Sequence, residues 1–273
     1  MSGFDAAWLA LREPADAGAR SAALEDALAR ALAARGGTLA CVDLACGTGA
    51  NLRHLAPRLP GPQHWRLVDA DAALLAEARR RCAGLRDRDG AVVEVTYVQT
   101  DLAAADLAAC CAGAALVTAS ALLDLVSAAW LGRLAAAIAQ NHSVALFALD
   151  YDGRRVCVPA DRDDALAQAA FDAHQRRDKG FGPALGPQAA AYAARALAAQ
   201  GFRVDRAPSD WRLGAREAAL QGELLRGWTQ AAVEAAPASR AAFEAWLGRR
   251  LAQCETGQLG LSVGHEDLLA LPL

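Results

Sequence analysis

Lysine is almost absent: Lys179 is the one lysine among the 28 basic residues of a 273-residue chain. Aromatic residues make up only 5% of it, and the net charge is −3. With a pI near 6.0, the chain lacks the basic field that grips a phosphate backbone, which argues against a nucleic-acid partner. Cysteine is present but scattered. The seven (Cys41, Cys46, Cys82, Cys110, Cys111, Cys157 and Cys254) include no C-x-x-C pair and no Cys/His spacing that suits zinc. They read as small buried hydrophobes of a reducing compartment, and no metal is expected. No uninterrupted apolar run reaches the roughly 20 residues that a membrane-spanning helix needs. The opening MSGFDAAWLALREP puts an acid ahead of any apolar run and has no basic start, unlike a signal peptide. The expectation is a cytoplasmic protein with no membrane partner.

What is there is apolar and alternating. Hydrophobic residues are 54% and charged residues 22%, the balance of a globular chain that can bury a substantial core. Strand-like runs at 39–42, 65–68, 92–98, 115–120 and 144–149 alternate with segments of helical spacing such as 72–82, which predicts an α/β fold. Two helices are expected ahead of the first strand, over 4–35, with Phe4, Trp8, Leu11, Leu24, Leu28 and Leu32 on apolar faces and a break starting at Pro14. Gly186-Pro187 begin a helix that Gly201 closes. A sixth strand starts at 202, two helices fill 216–253 around Pro237, and strand-like runs at 259–263 and 268–271 end the chain.

The most chemically specific stretch follows the first strand. Asp43 closes that strand, Gly47-Thr48-Gly49 turns, and helical spacing resumes through Leu52 and Leu55. Gly47 and Gly49 can take positive φ and, without a Cβ, let the backbone approach a ligand. The N–H groups of the following helix then point at whatever sits there. A carboxylate at Asp43 repels a pyrophosphate and attracts a ligand that carries positive charge.

Asp43-Leu44-Ala45-Cys46-Gly47-Thr48-Gly49 resembles the first signature of class I S-adenosylmethionine-dependent methyltransferases. The resemblance implies a doubly wound, seven-stranded, mostly parallel Rossmann-like sheet. It also implies S-adenosyl-L-methionine as cofactor and S-adenosyl-L-homocysteine as product. Asp43, Ala45, Cys46, Gly47, Gly49 and Asn51 would surround the amino-acid end of the cofactor. Asp69, which closes the second strand, would accept from the ribose hydroxyls, with Ala70 beside it. Asp101 and Leu102, after the third strand, would meet the adenine, and Ser120 would lie beside the reactive methyl. The leader, 1–36, would lie over the cofactor as a helical cap, with 37–273 forming the methyltransferase domain. Plainer roles compete: a glycine turn can simply pack a helix on a strand, and Asp101 can be a helix cap. The acid that the family commonly has at the start of the fourth strand is missing, because Ala115 stands there.

The acceptor side is read from residue chemistry. Asp124 follows the fourth strand within one turn, and Asp150-Tyr151-Asp152 end the fifth. Residues 154–187, where regular alternation stops, form an expected lid or acceptor insert, with 216–253 as a second. For a hydroxyl acceptor His174 is the expected base, with His265 and Tyr151 behind it; for an amine, Asp124 or Asp150 can orient the nitrogen. Arg176, Arg177 and Lys179 can pair with an acceptor carboxylate or phosphate. The expected activity is metal-independent methyl transfer to an N or O atom of a small molecule. A methyltransferase acting on RNA, DNA or protein stays open, against the acidic pI and the absence of an Asn/Asp-Pro-Pro-Tyr/Phe stretch at Ser120-Ala121-Leu122-Leu123. A non-catalytic S-adenosylmethionine-binding protein stays open too. A nicotinamide-dependent oxidoreductase is disfavoured, because Leu52 replaces the third glycine and Gln175 stands where a Tyr-x-x-x-Lys pair needs its tyrosine. A homodimer is compatible with all of these readings.

Overall fold

The computed structural model describes residues 5–273, so the expected packing of Phe4 lies outside the described residues. Asp5 caps helix α1 (Ala6–Ala19) by accepting from the Trp8 N–H, and Ser21 caps α2 (Ala22–Ala33) by accepting from the Leu24 N–H. Pro14 does not break α1, contrary to the expectation from its sequence. A helix-interior proline loses one N–H and crowds the carbonyl four residues back. Here the cost is offset by one contact within the helix, Arg12 Nε to Asp16 Oδ2 at 2.8 Å across the proline, and by one tertiary contact, the indole N–H of Trp211 donating to Asp16 Oδ1 at 3.1 Å.

Strands and helices then alternate as β1 (Leu39–Leu44), α3 (Ala50–Leu55), β2 (Gln63–Asp69), α4 (Ala72–Arg81), β3 (Glu94–Gln99), α5 (Leu107–Cys111), β4 (Leu116–Ser120), α6 (Ala128–Gln140) and β5 (Val144–Val158). They are followed by α7 (Asp164–Gln175), α8 (Ala189–Ala199), β6 (Phe202–Pro208), β7 (Trp211–Leu213), α9 (Ala218–Ala235), α10 (Arg240–Glu255) and β8 (Gly260–Pro272). The sheet order is β3-β2-β1-β4-β5-β8-β6, with the short β7 pairing only to β8. The first five strands in space are mutually parallel, and β8 is antiparallel to β5, β6 and β7. This is the doubly wound, seven-strand path expected, plus one three-residue strand.

Both faces of the sheet are covered, and successive residues of β1 serve opposite faces, as the pleat dictates. Val42 and Leu44 join Trp130, Leu134 and Ile138 of α6, while Leu39 and Cys41 join Leu28 and Leu32 of α2 and Leu52 of α3. A third apolar cluster lies beyond the end of the parallel sheet. There Phe171 of α7, Trp228 of α9 and Trp246 of α10 pack with Tyr151, Trp211 and Val263 from the antiparallel strands.

Three segments differ from their sequence reading. β5 continues to Val158 and β8 is one strand instead of two runs, because the two stay paired from Ala145↔Ala270 to Val158↔Gly260 across two register shifts. Within the polar stretch of β8, buried Asp267 is held from distant segments: it accepts from the Leu149 N–H at 2.9 Å and from the Ser21 N–H at 2.8 Å. The region read as irregular over 154–187 mostly folds, as the end of β5 and as α7, leaving only short connections at 159–163 and 176–185.

Candidate active site

The strand ends of β1, β2 and β4 meet at the point where the sheet order reverses, the place where open α/β sheets bind ligands. A cavity of about 1130 Å³ occupies it. Asp43, Asp69 and Ser120 come from the strand ends, Ala45, Cys46, Gly47 and Asn51 from the glycine turn, and Ala70 from the start of the next connection. Leu9, Arg12 and Arg20 come from the leader, and His174, Lys179, Gln230 and Glu234 close the far side.

The turn is built as its sequence requires. Gly47 and Gly49 have φ of +53° and +77°, and Ala45 takes +52° without being glycine, a conformation that costs an L-residue free energy and recurs at ligand sites. A Cβ on Gly47 would stand 3.0 Å from Leu9 Cδ1, so α1 roofs the turn. Gly49 serves a different purpose from the one expected. A Cβ there would lie 2.7 Å from Cys82 Sγ, which places the residue against α4 and off the cavity wall.

Behind the turn lies a buried polar cluster. Asn51 Nδ2 donates to Asp43 Oδ1 at 2.8 Å and to Thr118 Oγ1 at 3.2 Å, and Arg20 Nη1 donates to Asn51 Oδ1 at 2.9 Å. Four atoms of the cluster, Asp43 Oδ2, Thr48 Oγ1 and Arg20 Nε and Nη2, are buried without a hydrogen-bond partner among the described residues, and Arg20 Nε lies 3.4 Å from Glu25 Oε1 as an ion pair. An unpaired buried group of this kind costs about 1–3 kcal/mol. Burial pushes the Asp43 carboxyl up to about 7, and the Asn51 hydrogen bond and the Arg20 charge only partly oppose it. At the end of β2, Asp69 accepts from the Gly47 N–H at 2.8 Å and from the Asp71 N–H at 2.9 Å, so the second strand's acid is locked onto the first turn.

Other expected site residues stand elsewhere. Asp101 is exposed and accepts from the Ala103 N–H at 2.9 Å, a local turn, and Leu102 is buried with its carbonyl accepting from Trp130 Nε1 at 2.8 Å. Neither lines the cavity. Asp124 sits in the short helix Leu123–Leu125 with its carboxyl pushed up to about 6 by burial; its neighbours Leu122 and Leu125 line the cavity, and it does not. Tyr151, expected on the acceptor wall, belongs to the third apolar cluster. Its ring stands edge-on to Phe171 at 5.9 Å and its hydroxyl accepts from Gln168 Nε2 at 3.2 Å. Asp150 and His265 are buried beside it, and burial pushes the His265 imidazole down to about 3, leaving it neutral. Of the three expected catalytic residues, only His174 reaches the cavity.

Sequence reasoning did not single out Arg20, Glu234 or Gln230. Arg20 carried one usable signal, a lone arginine at the joint of the two leader helices. Glu234 and Gln230 carried none, because nothing in the sequence says which face of α9 turns toward α7.

Residues 41–143 match the family described as "Methyltransferase domain". With the sheet order and the acid-glycine turn, that match decides the reading. Residues 41–143 form a methyltransferase domain.

No curated protein sequence matches the chain. Among solved structures it is similar to a SAM-dependent methyltransferase from Geobacter sulfurreducens in complex with S-adenosyl-L-homocysteine, at 17% identity and a TM-score of 0.48, covering 100% of both chains. It is similar to an O-methyltransferase family protein from Burkholderia thailandensis at 17% identity and 0.47, covering 74% of this chain and 54% of that one. A third likeness is to the cyclopropane synthase MmaA2 from Mycobacterium tuberculosis at 12% identity and 0.44, covering 85% and 78%.

The cofactor of a class I methyltransferase domain is S-adenosyl-L-methionine, and the residues present fit it. An α-amino acid end offers an ammonium and a carboxylate. The methyltransferase turn offers an unpartnered carboxylate oxygen on Asp43 and an unpartnered guanidinium nitrogen on Arg20, both on residues lining one cavity. Among the described residues no cluster of His, Cys, Asp and Glu is arranged to hold a metal ion, and no helix is long and apolar enough to cross a membrane.

Proposed function

We propose that this domain transfers a methyl group to an N or O atom of a small-molecule acceptor. The observation that carries the reading is the unsatisfied pair at the glycine turn, Asp43 Oδ2 and Arg20 Nη2. When bound, S-adenosyl-L-methionine supplies a methyl group already activated as an electrophile by its sulfonium.

The rest is done by the chain. Asp43 and Arg20 hold the two charges of the amino-acid end, with Asn51 between them fixing both side chains. Asp69 keeps its carboxylate at the mouth of the turn for the ribose hydroxyls. Leu9 packs against the turn at Gly47, and water displaced from there on binding would strengthen each charged contact inside. The cavity exceeds the roughly 300–1,000 Å³ of an ordinary single-ligand pocket. That leaves room for an acceptor between Ser120 and Leu122 at the end of β4 and Phe171, Phe181 and Gln230 on the other wall.

Holding acceptor and donor in one orientation can itself lower the barrier by about 7–11 kcal/mol. Calorimetry with S-adenosyl-L-homocysteine, run beside NADH, tests the cofactor; binding of NADH alone would overturn it. Turnover of S-adenosyl-L-methionine with a panel of amines, phenols and carboxylic acids tests the acceptor. Product formed only on RNA, DNA or protein would overturn the small-molecule reading.

A further inference from the structure

We infer that Lys179 is the acceptor-recognition residue of this site, that the His174–Glu234 pair positions it, and that the acceptor carries an anionic oxygen group. The inference deepens the proposed function and rests on it. Three side chains from three places meet here: His174 from the last turn of α7, Glu234 from the last turn of α9, and Lys179 from the connection after α7. His174 Nε2 lies 3.0 Å from Glu234 Oε2, and His174 Nδ1 lies 3.3 Å from Lys179 Nζ.

The protons are fixed by the partners. An ammonium has three donors and no acceptor, so Nδ1 presents its lone pair to Lys179. The ring proton is then on Nε2, donated to the Glu234 carboxylate. An imidazolium would turn an Nδ1–H against the ammonium, and both burial and the Lys179 charge hold the His174 pKa below its ordinary value. Glu234 is itself held, since Gln230 Nε2 donates to its other oxygen at 3.1 Å and Arg177 Nη2 donates to its carbonyl at 3.0 Å.

Two consequences follow. His174 has its one lone pair engaged, so it is a positioning residue here and not the base expected from sequence. Lys179 is left facing the cavity, while Arg177, which also lines it, is tied to the Glu234 carbonyl. Lys179 makes no ion pair among the described residues, and keeps two N–H bonds beyond the one given to His174. A half-buried ammonium without a counter-ion selects an anion, and carboxylate, phosphate and phenolate oxygens all meet that need. A carboxylate or phenolate acceptor also attacks as the anion, so no base has to be supplied.

Because the chain has a single lysine and five histidines, ¹⁵N labelling of lysine and histidine together gives one Nζ resonance and a small set of ring-nitrogen signals. The protein saturated with S-adenosyl-L-homocysteine is titrated with benzoate, phenyl phosphate and uncharged benzamide, and the His174 ring nitrogens are assigned by comparison with His174→Gln. The expected result is an Nε2–H neutral imidazole and an Nζ signal that moves with at least one anion and not with benzamide. Whichever anion binds more tightly distinguishes a carboxylate from a phosphate acceptor. Lys179→Met should weaken that anion about tenfold and Lys179→Arg should restore most of it, while S-adenosyl-L-homocysteine affinity changes by less than about twofold. An Nδ1–H imidazole, an imidazolium, or an Nζ signal that ignores both anions overturns the proposal. Should Lys179→Met fail to fold, the wild-type titration decides alone. Failure of the cofactor reading is seen separately, as absent S-adenosyl-L-homocysteine binding in the unmodified protein.

Discussion

Arg20 Nη1 donates to Asn51 Oδ1 at 2.9 Å, joining the end of the leader to the first turn of α3. With the Arg53–Glu13 ion pair at 2.7 Å, that bond ties the two leader helices to the wall of the cavity. Arg20→Ala should lower S-adenosyl-L-homocysteine affinity by about 10–100-fold, the worth of one charged hydrogen bond. Glu25 keeps His54 as a partner at 2.6 Å, so the fold should survive. Calorimetry and circular dichroism check both statements, and an unchanged affinity would remove Arg20 from the cofactor site.

Asp43 gives the site a pH dependence whose sign can be worked out. Its carboxyl titrates near 7 when folded and near ~3.9 when unfolded. From about pH 4 upward the unfolded chain loses this proton first, so the group's contribution destabilises the free protein progressively until about pH 7 and is constant above. A cationic ligand group favours the carboxylate. Affinity for S-adenosyl-L-homocysteine should therefore rise with pH toward neutrality, with a proton released on binding below about pH 7. Calorimetry at about pH 6.5 in two buffers of different ionisation enthalpy measures that proton. It should vanish in Asp43→Asn; proton release that persists in this variant would assign it to another group.

Asp69 accepts from Gly47 and Asp71 at once. Asp69→Ala should weaken cofactor binding by about 1.5–3 kcal/mol. Asp69→Asn keeps an acceptor but loses the charge, so its affinity should fall between those of the wild type and the alanine variant. Equal affinities across the three proteins would refute the ribose assignment.

Gly49 separates packing from ligand contact. Gly49→Ala brings a Cβ to 2.7 Å from Cys82 Sγ at a φ of +77° and should destabilise the fold by about 2–4 kcal/mol, from overpacking and left-handed strain together. Adding Cys82→Ala should recover the packing part and leave about 1–2 kcal/mol of backbone strain. Urea denaturation of the single and double variants reads the difference. A double variant no more stable than Gly49→Ala would show that contact with Cys82 is not the cause.

Tyr151 is a control for the acceptor wall. Tyr151→Phe removes the 3.2 Å bond from Gln168 and should cost about 1 kcal/mol of stability. Turnover should stay within about twofold of wild type, since a group that touches no reacting atom leaves the barrier unchanged. A larger kinetic loss at constant stability would put the phenol back in the site.

The parallel half of the fold was legible because its signals are local. The glycine turn, the acids at the ends of β1 and β2, and the strand-helix alternation over residues 39–149 each follow from spacing and residue type. Pro14, β5 and β8 were misread for the opposite reason. The Asp16–Trp211 contact that stabilises α1 spans 195 residues, and β5 is prolonged only because β8 runs beside it. On the acceptor side, Tyr151 and His174 looked equally chemical in the sequence. The fold turned one into the apolar cluster with Phe171 and the other toward Glu234 and Lys179.

By itself the sequence determined the parallel strands, the turn and the positions of the first two acids, because backbone freedom at glycine and carboxylate charge need no distant partner to be read. Which side chains face the cavity, which polar atoms are left unpaired, and which histidine nitrogen carries the proton were decided only by tertiary structure. Those properties belong to contacts between segments far apart in the chain, and no local spacing encodes them.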